Sequence, residues 1–314
     1  MGRTFLCALL LALWLPEGTW ALKVFVSYLY SNKEPDAHRN MKFFLKHGIH
    51  SSANIDVDYG LVIKGPCRGE ACEEPHKIIQ EGKYKNLLVV NYKPGNDYYF
   101  DGHLAMLDRL SAEDALTYDH YIFLKCAAIG PMVPAYMPKG WHWASAFIDK
   151  MNDSVGLVGA SISCLPKGVG AEGPKVEEFA FALSAQAVAV VRNNRQAFRP
   201  SRTSADSMDD GYTLTKTVMD QHIGIDCLLL GYRGMDWFNR SIWNCNDNRQ
   251  LSKDNYLDGI SIHPLEVLFY KGKNKQRDAA VWTDTSKYIQ WRYMSARRER
   301  TRIPVGRSQP WVPG

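Results

Sequence analysis

The chain has 314 residues, 46% of them hydrophobic and 23% charged, ordinary proportions for one large folded domain or two small ones. That excludes a disordered chain, a collagen-like fibre and a disulfide miniprotein. The net charge of +5 sits at the end of the chain. From Trp291 onward six arginines (292, 297, 298, 300, 302 and 307) face the single acid Glu299, leaving 32 basic and 32 acidic side chains before them. A neutral body offers no nucleic-acid surface, so no nucleic-acid partner is expected.

Arg3, the apolar run Phe5 to Leu15 and the small residue Ala21 describe a secretory signal peptide, residues 1–21, cleaved after Ala21. Eleven apolar residues are too few to span a bilayer, which takes about 20. No later segment is longer, so no transmembrane span is expected after cleavage. The expected localisation is the secretory pathway (Golgi or ER lumen) or secretion. The mature chain would keep Cys67, Cys72, Cys126, Cys164, Cys227 and Cys245, an even count that permits disulfides in an oxidising lumen without giving their pairing. Cys67 and Cys72 are the best local pair. Without a Cys-x-x-Cys doublet a zinc site is not expected. Two N-glycosylation sequons, Asn152-Asp153-Ser154 and Asn239-Arg240-Ser241, agree with luminal entry.

Lys23 to Tyr28 reads as a buried strand. A helix comes next from Asp36 to His47, entered through Pro35 and stopped by Gly48. Strands are expected at Tyr59–Lys64 and Asn86–Asn91, a helix over Leu104–Leu116, and a strand at Tyr121–Leu124 ending in Lys125. Residues 141–151 read as helix, 155–163 and 177–183 as strands, and Ser184 as the cap of a helix through Val191. Asp209–Gln221 is the last expected helix, with strands after it at Ile225–Leu230 and Leu265–Tyr270. Short apolar strands alternating with helices define an α/β fold with a mostly parallel sheet. One domain, residues 22–294, is expected, with a basic tail over 295–314 that lacks apolar period and is expected to be disordered.

In parallel sheets ligands sit beyond the carboxyl ends of the strands, which directs attention to the residues just past each strand. After Asn91 comes a turn with Asp97, Asp101 and His103 among aromatic residues. Its acids could hold a sugar hydroxyl or a nucleotide, or Asp101 could cap the next helix. After Leu124 comes Lys125-Cys-Ala-Ala-Ile-Gly130-Pro131. Small residues such as Gly130 admit a close ligand, and a buried Lys125 could neutralise a diphosphate without a metal. The alternative is a solvated lysine at a strand end. Asp210, in a first helical turn, is a candidate general base. Glu177 and Glu178, on an expected strand, would face opposite sides, so one at most reaches a site. No Walker loop, Gly-x-Gly-x-x-Gly, Gly-x-Ser-x-Gly or His-Glu-x-x-His occurs, which removes the usual support for hydrolase and metalloprotease readings.

Landmarks along nearly the whole mature chain share an order with a known family. They are Asn40-Met-Lys-Phe-Phe-Leu-Lys-His-Gly48, the Asp97–His103 turn, Tyr118-Asp-His-Tyr-Ile-Phe-Leu124 leading to Gly130-Pro131, Val155 to Cys164, Ile225-Asp-Cys-Leu-Leu, Asp236-Trp237, Asn244-Cys-Asn246 and Ser261 to Lys271. The chain resembles a glycosyltransferase family of algae, plants, fungi and bacteria that is distantly related to rhamnan-synthesis proteins. The resemblance implies an αβα sandwich of the nucleotide-diphospho-sugar transferase type. It implies a nucleotide-sugar donor, and a glycan or glycoprotein acceptor whose hydroxyl receives the sugar. In that frame Lys125 would neutralise the donor diphosphate, with a divalent metal unnecessary. Asp97 or Asp101 would hold nucleotide or sugar hydroxyls, and Asp210 or Glu177 would be the base.

Three segments depart from the family pattern. Asn-Ser-Ser-Val-Arg is Lys125-Cys-Ala-Ala-Ile129 here, His-Val-Gln-Ser is Lys175-Val-Glu-Glu178, and Glu-Ile-Gly-Leu-Ser is Gly211-Tyr-Thr-Leu-Thr215. Polar residues change while apolar landmarks remain. The alternative reading is therefore a catalytically inactive protein of the same fold that binds a glycan or a partner protein.

Overall fold

The structure is a computed structural model that describes residues 21–34, 36–52, 54–65, 75–77, 79–80, 87–92, 100–110, 117–165, 172–194, 204–245, 262–271 and 286–292. The expected signal peptide, the Cys67/Cys72 pair, Asp97 and the basic tail lie outside the described residues. The central sheet is built from seven strands: β1 (Leu22–Ser31), β2 (Ile55–Lys64), β3 (Leu87–Tyr92), β4 (His120–Lys125), β5 (Val155–Gly159), β8 (Ala180–Ser184) and β9 (Gly224–Cys227). Their order across it is β3-β2-β1-β4-β8-β5-β9. All neighbours run parallel except β8, which is antiparallel to both β4 and β5. A separate antiparallel pair joins β6 (Ile162–Leu165) to β7 (Gly173–Val176). The α/β class and the mostly parallel sheet expected from the alternation are therefore observed.

The middle of the sheet is where the apolar runs are unbroken, as burial on both faces requires. From Val24 onward every residue of β1 is buried. Its alternate side chains meet different helices. Tyr28 stacks on Phe44 of α1 (Ala37–His47) at 4.6 Å. Ser27 and Leu29, on the other face, meet α2 (Phe100–Arg109), at His103 and at Gly102. Helices thus cover both faces. Gly60 admits Met106 of α2 so closely that a Cβ there would stand 2.6 Å from its methyl carbon. Farther along, α4 (Ala185–Asn193) starts at Ser184, whose Oγ accepts the Ala187 N–H at 3.2 Å. This is the cap read from the sequence.

Several expected boundaries shift. The helix expected over 141–151 is a single turn, α3 (Ser145–Ile148). The strand expected over 155–163 breaks after Gly159 because β6 leaves the main sheet to pair with β7. The strand expected over 177–183 begins only at Ala180, and Glu177 and Glu178 lie between β7 and β8. The two-faced geometry of a strand does not apply to them. Helix α5 (Ser204–Met219) starts before Asp209. Strand β9 ends at Cys227 and gives way to a 3-10 turn at Leu230–Tyr232. Leu265–Tyr270 is not a strand. Pro264 opens a helical turn, α6 (Pro264–Val267), capped by His263, and only Tyr270 bridges to Ile129. Proline at the first helical position is preorganised for a helix and cannot donate to a ladder. Cys164 and Cys245 form a disulfide with a Cα–Cα distance of 5.4 Å, while Cys126 and Cys227 are buried thiols.

Candidate functional site

The chain leaves β1 through α1 to β2 on one side, while β3 leads through α2 to β4 on the other. The connections diverge between β1 and β4, the switch point beyond whose carboxyl end an open α/β sheet places its ligands. Two apolar strands next to β1 end there in lysine. Ser31 is in register with Lys64, and Leu29 with Lys125. Both lysines are on the face that α2 covers, and both are buried, at 5% and 3% exposure. The solvated-lysine alternative is thereby excluded for Lys125.

Each lysine has a carboxylate. Lys64 Nζ donates to Asp101 Oδ1 at 3.0 Å, and Tyr92 Oη donates to Asp101 Oδ2 at 3.1 Å. Asp101 stands inside the first turn of α2 with both oxygens occupied, so it orders the β2 and β3 ends and is not the residue preceding the helix. Lys125 Nζ lies 3.0 Å from Glu178 Oε1, and Lys271 Nζ approaches the same oxygen at 3.8 Å. Burial alone would raise the Glu178 pKa. The ammonium groups of Lys125, Lys175 and Lys271 overcome that and hold it at about 2. Burial lowers Lys125, against the pull of Glu178. Coulomb attraction between the two groups works against the loss of water that burial imposes on both.

His103 stands between these two pairs. Its Nδ1 is 2.8 Å from Ser27 Oγ, and its ring meets Phe123 edge-on at 5.2 Å. Burial, then the charges of Lys125 and Lys64, push its pKa well below the usual histidine value, so it is neutral. Its Nε2 is buried without a hydrogen-bond partner.

The remaining sequence candidates fall around this edge or outside it. Glu177 is half-buried and accepts a hydrogen bond from Ser163 Oγ at 2.6 Å. Its neighbour Glu178, not Glu177, is the acid that reaches Lys125. Asp210 is a backbone position of α5 next to Gly211, and Gly211 itself lies against the stem of Lys175. Gly130 precedes Pro131 in a cis peptide. A Cβ on it would collide with Leu268 O and stand 2.6 Å from the Phe269 ring. The close approach that its missing side chain allows is taken by this chain's own 268–269 backbone and ring.

Lys64 and Lys271 escaped the sequence reading, and of the Glu177–Glu178 pair it chose Glu177, where the structure brings Glu178 to the lysines. One signal was available: Val62-Ile63-Lys64 repeats the pattern Phe123-Leu124-Lys125, an apolar strand that ends in lysine. Nothing local ties Lys271 to Glu178 across the intervening chain.

Among the described residues no group of three or more His, Cys, Asp or Glu side chains is placed to hold a metal ion. Glu178, ringed by ammonium groups, and Asp101, bonded to Lys64 and Tyr92, do not fit a divalent cation. What the fold and the edge define is an α/β protein with a buried, cation-rich carboxyl edge beside its switch point. Among the described residues no helix is long and apolar enough to cross a membrane.

No protein-family model and no curated protein matches the chain. Among solved structures it is similar to the mannosyltransferase PcManGT from Pyrobaculum calidifontis, solved in complex with GDP-Man and Mn2+. The identity is 13% and the TM-score 0.43, over 67% of this chain and 55% of that one. The chain thus matches little more than half of that structure's length, and a likeness of this size transfers no residue and no ligand.

Proposed function

We propose that this protein is a glycosyltransferase of the secretory pathway. It would bind a nucleotide-diphosphate sugar beyond the β1 and β4 ends and transfer the sugar to a hydroxyl of a glycan or protein. The observation that carries this reading is the buried Lys125–Glu178 pair with Lys175 and Lys271 around the same carboxylate, set at the switch point. A fixed, water-poor group of cations is suited to a diphosphate, whose leaving charge must be stabilised as the glycosidic bond breaks. Lys125 supplies that charge, and Lys64, held by Asp101, adds to the field. Glu177, oriented by Ser163, or Asp210 takes the proton of the acceptor hydroxyl. Asp97, outside the described residues, would contribute a hydroxyl contact. The pairing of Cys164 with Cys245 supports luminal entry, because disulfides persist where the compartment is oxidising.

A second reading has its own observation. Asp101 and Glu178, the buried acids of this edge, are both bound to lysines, which suits a protein that binds a glycan or a partner without turnover.

The test is a thermal melt of the mature protein with UDP-, GDP- and dTDP-sugars, each with and without Mn2+, and then a transfer assay with any donor that binds. A donor at about 100 times its dissociation constant stabilises the fold by about 2.7 kcal/mol. One nucleotide family should raise the melting temperature. Lys271→Met, a change at the rim of the cluster, should weaken that shift, whereas Lys216→Met, in an exposed pair with Asp220, should not. Binding with transfer supports the enzyme, and binding without transfer supports the second reading. No shift with any donor sinks the donor site.

A further inference from the structure

Both sequons sit on exposed turns. In each, the asparagine Oδ1 accepts the backbone N–H of the serine two residues on, at 2.8 Å for Asn152 and 3.0 Å for Asn239. The side-chain oxygen closes the turn in both, which is the common use of asparagine in such turns. Their surroundings differ. Asn152 Oδ1 also accepts from Ser154 Oγ at 2.7 Å and Val155 N at 3.1 Å, in a polar turn ahead of β5.

Asn239 comes directly after Phe238, which is 46% exposed, and the same loop exposes Met235 at 38% and Leu230 at 68%. These side chains are not outward because the loop lacks a core. Tyr232 and Trp237 are buried beneath it, edge to face at 5.4 Å. Trp243 Nε1 donates to Trp237 O at 2.9 Å, and Cys245, two residues on, is tied to Cys164. The loop is thus braced from below while it presents these apolar side chains to water, from which a group attached beside them would shield them.

We propose that Asn239 is N-glycosylated and that its glycan covers the apolar surface of the Leu230–Phe238 loop. The inference rests on the secretory entry proposed above. The co-reactant is a polyprenyl-diphosphate oligosaccharide. Asn239 Nδ2 forms a bond to the anomeric carbon, the bond from that carbon to the diphosphate oxygen breaks, and the lipid diphosphate leaves with the electron pair. One amide proton passes to base, and nothing is oxidised or reduced. The apolar faces of the first sugars then lie beside the Phe238 ring, as sugar faces do on aromatic side chains.

The full chain, made in eukaryotic secretory cells, is compared before and after peptide N-glycosidase F by intact mass and by peptide mapping at Asn239. The wild type should lose mass, and Asn239→Gln and Ser241→Ala should each lack one glycan. Binding of a hydrophobic dye should rise when the Asn239 glycan is absent, whether by mutation or by native enzymatic removal. Asn152→Gln should leave dye binding unchanged. An unmodified Asn239 peptide in chain whose Cys164–Cys245 disulfide has formed overturns the proposal while leaving secretory entry intact. So does a glycan whose removal leaves dye binding unchanged. Chain recovered from the cytosol with Cys164 reduced ends the secretory reading and this proposal with it.

Discussion

The carboxyl edge of the sheet and the region under the end of α1 both bury polar side chains, with opposite chemistry. At the edge the buried groups are charged: Lys64 with Asp101, and Lys125 with Glu178. Under α1 they are neutral and joined in a chain of hydrogen bonds. Ala144 N donates to His142 Nδ1 at 3.1 Å, which places the His142 proton on Nε2, 3.0 Å from Tyr59 Oη. Tyr59 Oη in turn donates to Gly48 O at 3.1 Å, and Trp143 Nε1 donates to the same carbonyl at 2.7 Å. The His50 ring lies tilted against His142 at 4.4 Å, and His47 lies against Phe43 at 4.7 Å. The neutral network closes the end of a helix at little electrostatic cost. Buried charges are poor stabilisers compared with apolar packing, and perturbed titrations gather at functional sites. The neutral network closes a helix end, whereas the charged edge is the part of the molecule that the proposed function uses.

The largest expected effect breaks the charged side of that contrast. Glu178→Gln leaves Lys125 buried without its counter-charge and should cost about 3–5 kcal/mol in urea unfolding. Lys125→Met should cost less, because Lys175 and Lys271 still face Glu178. Equal costs would show that those two lysines do not act on the carboxylate. A smaller loss is expected on the neutral side. Tyr59→Phe leaves Gly48 O with one donor fewer and His142 Nε2–H without its acceptor, for about 1–3 kcal/mol by the same unfolding measurement. A cost near zero would mean that water replaces the hydroxyl there.

The subtlest separation is in pH. Burial lowers His142 from 6.5 to about 3 and His47 to about 4. The unfolded chain therefore takes up these protons first, so their contribution is complete above pH 6.5 and is lost as pH falls toward 4 and 3. Glu178 is lowered from 4.5 to about 2. Its contribution is complete above 4.5 and is lost as pH falls toward 2. Stability measured by denaturant titration should begin to decline near pH 6.5, and His142→Gln should flatten the decline from 6.5 down to about 3, leaving the part below that to Glu178. An unchanged upper limb would assign it elsewhere.

How much of this was legible depends on the range of each interaction. The run Val24 to Tyr28 announces a strand buried on both faces because its residues are apolar without alternation. Ser184 announces a helix start through a hydrogen bond three residues long. Those signals are local. The 177–183 stretch misleads because Glu177 and Glu178 precede a strand whose pairing with β4 and β5 begins only at Ala180. The Leu265–Tyr270 stretch has strand composition, but Pro264 and the His263 cap favour a helical turn.

By itself the sequence determined the α/β class, the central strands, the Ser184 cap and the presence of Lys125 at a strand end. Periodicity, propensity and capping act over a few residues, and they are written in order along the chain. Only the tertiary structure decided that Lys125 is buried, that Glu178 and not Glu177 is its partner, and that Lys271 arrives from a distant turn. It also decided that Gly130 is covered by Leu268 and Phe269, and that Cys164 meets Cys245. Burial and ion pairing depend on which side chains share a volume, and chain order alone does not specify that.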